Sequence, residues 1–188
     1  MRARKLTRIF VVLIFIFIAV NLKYIIQMFF PLSHSEYIIK YSKEYNLSPF
    51  LVAAVIKTES NFKINARSSK GASGLMQITL STGEWAAKEM KLPKFKPELL
   101  ENPEYNIRMG CWYLDNLKQE FEGNMDLVLA AYNGGRGNVQ KWLSDRNSSK
   151  DGKNLHNIPF EETDKYVKKV KFNYNIYKVL YAKTLDNQ

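Results

Sequence analysis

Residues 49–60 read PFLVAAVIKTES, and this stretch indicates how the chain folds. It is apolar on nearly every side until its last turn, which is typical of a helix buried inside a domain. Ser48 followed by Pro49 is an N-cap and first-turn signal that opens such a helix. The pattern therefore predicts a buried helix that carries a carboxylate, Glu59, at its carboxyl end.

Glu59 stands where a negative charge is disfavoured. It follows Val55 by four residues and Ile56 by three, so the three side chains share one helix face. The negative end of the helix dipole lies at the same place. Both effects favour the protonated carboxyl, which is the form that a general acid needs near neutral pH. From position alone, an ordinary exposed glutamate at a helix end is an equally good interpretation.

From residue 36 onward the chain shows helical periodicity and almost no alternating strand pattern. The clearest amphipathic segment has Ile107, Cys111 and Leu114 at spacings of three and four. We therefore expect an all-α or predominantly helical domain. The predicted helices are 36–45, 49–60, 82–90, 106–122, 125–132, 139–143 and 161–182, with longer loops at 61–74 and 144–157.

The amino-terminal residues predict an export signal that remains as a membrane anchor. Residues 9–30 are apolar apart from Asn21, Lys23 and Gln27, over about the length of a bilayer-spanning helix. Because residues 1–8 are basic, the positive-inside rule places them in the cytoplasm and everything after Pro31 outside. Cleavage as a signal peptide, which would secrete the protein, is the alternative, although no Ala-x-Ala site follows.

Composition argues against several classes of function. The net charge is +10, with five basic residues before the first acidic one and the others dispersed. We find no nucleic-acid-binding motif and expect no nucleic-acid partner, whereas a basic excess suits wall polymers or a membrane surface. Cys111, with the distant His34 and His156, makes a poor metal set. We expect no metal and no cofactor, and a buried Cys111.

Two polar motifs lie downstream of Glu59. Residues 68–77 read SSKGASGLMQ, where Ser68, Ser73 and Gln77 are short neutral groups suited to sugar hydroxyls and acetamides. Residues 130–139 read AAYNGGRGNV, with Tyr132 and Asn133 beside a glycine turn. Aromatic faces and amides suit pyranose rings, although a glycine-serine loop and a core tyrosine are the ordinary alternatives.

Four motifs in order resemble the soluble-lytic-transglycosylase (SLT) catalytic domains of glycoside hydrolase family 23, which are related to goose-type lysozyme. They are the Glu-Ser pair at 59–60, GASGLMQ at 71–77, AYNGGRGNV at 131–139 and IPFEETDKYV at 158–167. The resemblance implies a lysozyme-like, predominantly helical catalytic domain over residues 36–183, preceded by the 9–30 transmembrane helix. Thr79-Leu80 departs from the family's usual Met-Pro pair, and 134–137 from its Ala-Gly-Pro-Gly.

Carried over by position, the resemblance implies that Glu59 is the single catalytic acid/base. It also implies a sugar-binding groove whose lining residues are Ser68, Gln77, Tyr132, Asn133, Glu162 and Tyr166.

The implied activity is cleavage of the β-1,4 bond between N-acetylmuramic acid and N-acetylglucosamine, with formation of 1,6-anhydro ends. Peptidoglycan strands and the cytoplasmic membrane are then the expected partners; a wall-remodelling or secretion machine is compatible, but no motif identifies one. A hydrolytic muramidase using Glu162 as a second carboxylate is one alternative. A wall-binding scaffold that lacks catalysis is another.

Overall fold

The computed structural model describes residues 2–185, and two compact units divide the chain after Leu32. The first unit contains one helix, α1 (Arg2–Phe29). Within it, Phe10–Phe29 has a mean hydropathy of 2.3 over 20 residues. That length and composition would allow the helix to cross a membrane, and a signal sequence has the same properties.

The second unit is predominantly helical, as predicted. Its elements in chain order are α2 (Ser35–Glu44), α3 (Pro49–Glu59), β1 (Ala72–Ser73), β2 (Ile78–Thr79), α4 (Leu80–Glu89), a 3₁₀ helix (Pro97–Glu101), α5 (Pro103–Glu120), α6 (Met125–Gly134), α7 (Arg136–Ser144) and α8 (Glu161–Leu185). β1 and β2 form an antiparallel pair in which Ala72 lies opposite Thr79 and Ser73 opposite Ile78.

Helix α3 lies at the centre of this unit, and every side chain from Phe50 to Ile56 is buried. It packs most extensively against α8, which also packs against α6, while α5 contacts α2 and α6. The apolar sequence of α3 thus has neighbours on all sides, which explains why it lacks a polar face. Cys111 is fully buried on α5, as predicted.

Several local predictions need correction. The Ser48 side chain makes no capping hydrogen bond. Helix α4 begins at Leu80 instead of 82, because the Thr79 hydroxyl accepts the Thr82 N–H at 3.2 Å and caps it. α7 begins at Arg136 instead of 139. The β1–β2 pair and the 3₁₀ helix were not predicted, because segments this short carry no periodic signal.

Candidate active site

Glu59 lies at the carboxyl end of α3, where packing constrains the backbone. The chain leaves the helix through Asn61 and Phe62, whose φ angles are +52° and +63°. A bulky residue rarely adopts a positive φ, so this exit needs support from packing. Phe62 is 9% exposed and its ring lies 6.2 Å from that of Tyr177. The burial of Phe62 therefore fixes the turn that follows Glu59.

A buried polar contact also holds α3 against α8. Asn173 is 3% exposed, and its side-chain amide donates to the Thr58 hydroxyl at 2.9 Å. That hydroxyl in turn donates to the Ala54 carbonyl at 2.8 Å. Because this contact involves the residue next to Glu59, it sets the position of the carboxyl relative to α8.

The Glu59 carboxyl is a weak acid in this setting. Burial raises its pKa to about 7, and the negative charge of Glu162 adds to the rise. The Tyr166 hydroxyl and the positive charge of Lys169 act in the opposite direction. Near neutral pH, a substantial fraction of Glu59 is therefore protonated, as a general acid requires.

Two tyrosines lie close enough to this carboxyl for its charge to influence them. Tyr166 is 7% exposed, and burial and the nearby Glu59 hold its pKa well above the usual range. The Tyr166 hydroxyl is near enough to lower the pKa of Glu59. Among the described residues, however, it makes no hydrogen bond of standard geometry. The Tyr132 hydroxyl donates to the Met76 carbonyl at 2.8 Å, and burial and Glu59 raise its pKa as well. The structure thus brings Glu59, Tyr132, Tyr166 and Glu162 into one neighbourhood.

The segment between α3 and β2 is held by its own polar side chains. The Ser68 hydroxyl accepts the N–H groups of Lys70 at 3.2 Å and Ala72 at 3.0 Å. The Gln77 amide donates to the carbonyls of Ala66 at 2.9 Å and Gly74 at 2.8 Å. Gln77 itself has a φ of +49°. Both N–H groups of the predicted groove glutamine therefore stabilise a left-handed turn, which leaves only its carbonyl oxygen for a ligand.

Asn106 on α5 anchors this segment, and sequence reasoning missed it. It is fully buried, accepts the Met76 N–H at 2.7 Å and donates to the carbonyls of Ser73 at 2.9 Å and Leu100 at 2.8 Å. A Cβ on Gly74, which has a φ of +82°, would lie 2.2 Å from the Asn106 amide nitrogen. The predicted GASGLMQ motif is thus held in place by an asparagine that no motif contains.

A signal for this packing was present in the sequence. Gly110 lies in the interior of α5, where a glycine usually marks a close approach. A Cβ there would lie 2.3 Å from the Met76 sulfur. Met76 therefore packs directly against the α5 backbone, which brings β2 and the adjacent Gln77 turn onto that helix.

Of the three remaining predicted residues, two lie at helix ends and one lies on β1. Asn133, near the end of α6, accepts a hydrogen bond from the Thr163 hydroxyl of α8 at 2.8 Å. Glu162, in the first turn of α8, lies 3.2 Å from the ammonium group of Lys70. Ser73 is half-buried on β1, and its backbone carbonyl accepts from Asn106. Within residues 2–185, no group of three or more His, Cys, Asp or Glu residues is placed to hold a metal ion.

Cavity size does not identify this site. An apolar cavity of about 430 Å³ lies at the opposite end of α3, lined among others by Leu47, Leu51, Leu129 and Tyr174. None of the predicted site residues lines it. The chemical environment of Glu59, not the volume of a cavity, distinguishes the carboxyl end of α3.

Comparison with known proteins places this geometry in a family. Residues 36–155 match the family model described as the Transglycosylase SLT domain. The chain belongs to this family. Over 143 residues it is 36% identical to a soluble lytic murein transglycosylase of Salmonella typhimurium, covering 75% of this chain and 22% of that protein. It is also 35% identical over 114 residues to a membrane-bound lytic murein transglycosylase C of Serratia proteamaculans, covering 56% and 32% of the two chains.

A solved structure confirms the predicted fold class of the SLT domain. An inactive mutant of the lytic transglycosylase Slt from Pseudomonas aeruginosa superposes with a TM-score of 0.72 at 32% identity. The match covers 81% of this chain and 25% of that one. The chain thus spans only about a quarter of the length of the larger relatives that it matches.

Proposed function

We propose that this protein is a lytic transglycosylase that cleaves the β-1,4 bond between N-acetylmuramic acid and N-acetylglucosamine in peptidoglycan. The observation that carries the proposal is Glu59, a half-buried carboxyl whose partial desolvation raises its pKa to about 7 in the site that the SLT motifs form. The relatives named above are lytic murein transglycosylases, and the inactive Slt carries glutamine in place of a glutamate.

Glu59 serves in turn as acid and base in this proposal. The protonated carboxyl gives its proton to the glycosidic oxygen as the bond from that oxygen to C1 of the muramic sugar breaks. The ionised carboxylate then takes the proton of the sugar's own 6-hydroxyl, whose oxygen bonds to C1. Glu59 ends protonated again, no water is consumed, and the product is a 1,6-anhydro sugar. Its pKa near neutrality suits both roles.

The structure limits which groups can contact the sugars. The Ser68 hydroxyl can still donate its proton to a sugar. The Ser73 hydroxyl can both donate and accept. Gln77 can only accept, through its side-chain carbonyl oxygen. The hydroxyl of Tyr132 already donates a hydrogen bond to the Met76 carbonyl, so in this proposal the residue contacts the sugar with the face of its ring. Asn133 keeps its amide N–H groups, because Thr163 engages only its oxygen.

The two residues from α8 have separate roles in the proposal. Tyr166 lies beside Glu59 and can donate its hydroxyl to the carboxylate that forms during the reaction, since this buried hydroxyl makes no standard hydrogen bond within the described residues. Glu162, which is largely exposed, contacts the sugar from the rim of the site.

We also propose that residues 9–30 anchor the enzyme, with residues 1–8 in the cytoplasm and the 36–183 domain outside the cytoplasmic membrane. The proposal is supported by the apolar helix α1 and by the membrane-bound relative. Protease added to intact cells should then degrade the domain, while an epitope at the amino terminus stays protected. Degradation of both or of neither would contradict this topology.

Mass spectrometry of the products tests the activity. The full-length chain in detergent, incubated with purified peptidoglycan, should release muropeptides with 1,6-anhydro ends, and the Glu59→Gln variant should release none above background. Reducing ends would instead identify a hydrolytic muramidase and give Glu162 a catalytic role. A native chain that binds peptidoglycan but releases nothing would indicate the non-catalytic scaffold.

A further inference from the structure

Lys70 forms a contact that none of the SLT motifs explains. Its ammonium nitrogen lies 3.2 Å and 3.5 Å from the two carboxylate oxygens of Glu162. Lys70 lies in the loop between α3 and β1, and Glu162 lies in the first turn of α8. Their side chains are 76% and 72% exposed, respectively. The ammonium group of Lys70 is therefore exposed to solvent at the rim of the candidate active site.

The backbone of Lys70 is tied to the same site. Its N–H donates to the Ser68 hydroxyl at 3.2 Å, so the lysine and this predicted groove serine move together. An ammonium group has three N–H donors in a flexible arrangement. Contact with one carboxylate at this exposure leaves Lys70 able to accept a second anionic partner from solvent.

The charges around the site indicate that a negatively charged group of a ligand would need Lys70 as its partner. Glu59 and Glu162 already act on each other electrostatically, so a further negative group in this region is repelled. Two cations oppose this effect. Lys70 contacts Glu162 directly, and the charge of Lys169 on α8 acts on Glu59.

We propose that Lys70 binds a carboxylate carried by the substituent of the muramic sugar and thereby makes the enzyme favour strands that bear such carboxylates. The inference rests on the proposed function, because only a peptidoglycan substrate brings this group to the site. The muramic sugar carries a lactyl group, and peptides attached to it end in free carboxylates. The exposed pair with Glu162 is weak enough for Lys70 to share with or yield to this second carboxylate.

Substrates that differ only in charge test the proposal. One batch of glycan strands keeps its peptide carboxylates, and a second has them converted to methyl amides. For the full-length chain, kcat/KM should be higher on the first. In Lys70→Gln the ratio of the two values should fall about two- to fivefold, the size expected for one exposed charge pair. The change should appear in KM for the strands that keep their carboxylates.

Two further variants make the comparison specific. Lys70→Arg keeps the charge and should restore most of the ratio. Lys63→Gln removes an exposed lysine from the same connection between α3 and β1 and should leave the ratio unchanged. An unchanged ratio in Lys70→Gln, or an equal fall in Lys63→Gln, would overturn the proposal. So would faster turnover of both substrates by Lys70→Gln, since Lys70 would then merely restrain Glu162.

Binding separates this inference from the proposed function. In a Glu59→Gln background, the dissociation constants for the two kinds of strand should differ in the same direction, and Lys70→Gln should remove the difference. A native chain without turnover would overturn the proposed function, while this binding ratio would still support or refute the role of Lys70. Strands stripped of peptide by an amidase keep only the lactyl carboxylate, and Lys70-dependent binding to them would assign the contact to that group.

Discussion

Two glutamates of the candidate site lie at opposite kinds of helix end. Glu59 closes α3, where burial and the negative end of the helix dipole both oppose its charge. Glu162 lies in the first turn of α8, near the positive end of the helix dipole, where it is largely exposed and contacts the ammonium group of Lys70. The same kind of side chain thus meets opposite electrostatic surroundings at the two helix ends.

The difference also separates what holds the two ends in place. The α3 end is fixed by buried contacts, which include Phe62 and the Thr58–Asn173 hydrogen bond. The start of α8 is held by the hydrogen bond from the buried Thr163 to Asn133, but the side chain of Glu162 reaches the loop only through an exposed ion pair, which contributes little stability. We infer that Glu59 is rigidly placed and that the side chains of Glu162 and Lys70 can adjust to a substrate.

The largest effect should come from removing the acid. Glu59→Gln keeps the size of the side chain but cannot give up a proton, so release of anhydro-muropeptides should fall by roughly 10³-fold or more. The far-ultraviolet circular dichroism spectrum should be unchanged. Turnover within tenfold of the native rate would show that α3 does not supply the acid.

Removing the second carboxylate should cost far less. Glu162→Gln should lower kcat/KM by about tenfold, as expected for one lost or weakened polar contact with the substrate, and the product should remain anhydro. The measurement is initial rates with product analysis by mass spectrometry. A loss as large as that of Glu59→Gln would mean that both helix ends carry out the chemistry and would favour the two-carboxylate hydrolase.

How far the sequence predicts this comparison differs between the two ends. The raised pKa of Glu59 follows from the apolar sequence of its helix, because a helix without a polar face must be enclosed. The partners of Glu162 could not be predicted, since the Lys70 contact joins residues 92 positions apart and leaves no periodic trace. Such a contact depends on how the helices pack, which local patterns do not encode.

The loop between the two ends shows a similar division. The GASGLMQ motif was interpreted only as part of a sugar-binding site, and it does not reveal that Asn106 holds it in place. The amide N–H groups of Gln77 support its own turn, although the residue was predicted only as a sugar contact. A motif identifies residues that are needed at a site; whether they touch the ligand or support the fold requires the structure.

The pH dependence offers a finer comparison, because two neighbours act on Glu59 in opposite directions. Activity requires the protonated acid, so kcat/KM should fall as the pH rises through about 7. Glu162→Gln removes a charge that raises the pKa of Glu59, and should move this fall to lower pH. Tyr166→Phe removes a hydroxyl that lowers that pKa, and should move it to higher pH. The check is a pH–rate profile of both variants, and shifts in the same direction would contradict the electrostatic assignment.

The smallest effect should be on stability, and it should have opposite signs at the two ends. The pKa of Glu59 is about 7 in the folded chain against an ordinary value of 4.5, so its contribution to stability is full below 4.5 and is lost as the pH rises through 7. Glutamine does not ionise. Glu59→Gln should therefore raise the melting temperature at pH 8 by about 2–5 °C relative to the native chain, and by less at pH 5. Glu162→Gln removes an exposed ion pair with Lys70, and should leave the melting temperature at pH 8 equal or slightly lower. The measurement is thermal unfolding of the three proteins in one detergent at both pH values. A Glu59→Gln variant that is less stable than the native chain at pH 8 would show that the ionised carboxylate is not disfavoured at the end of α3.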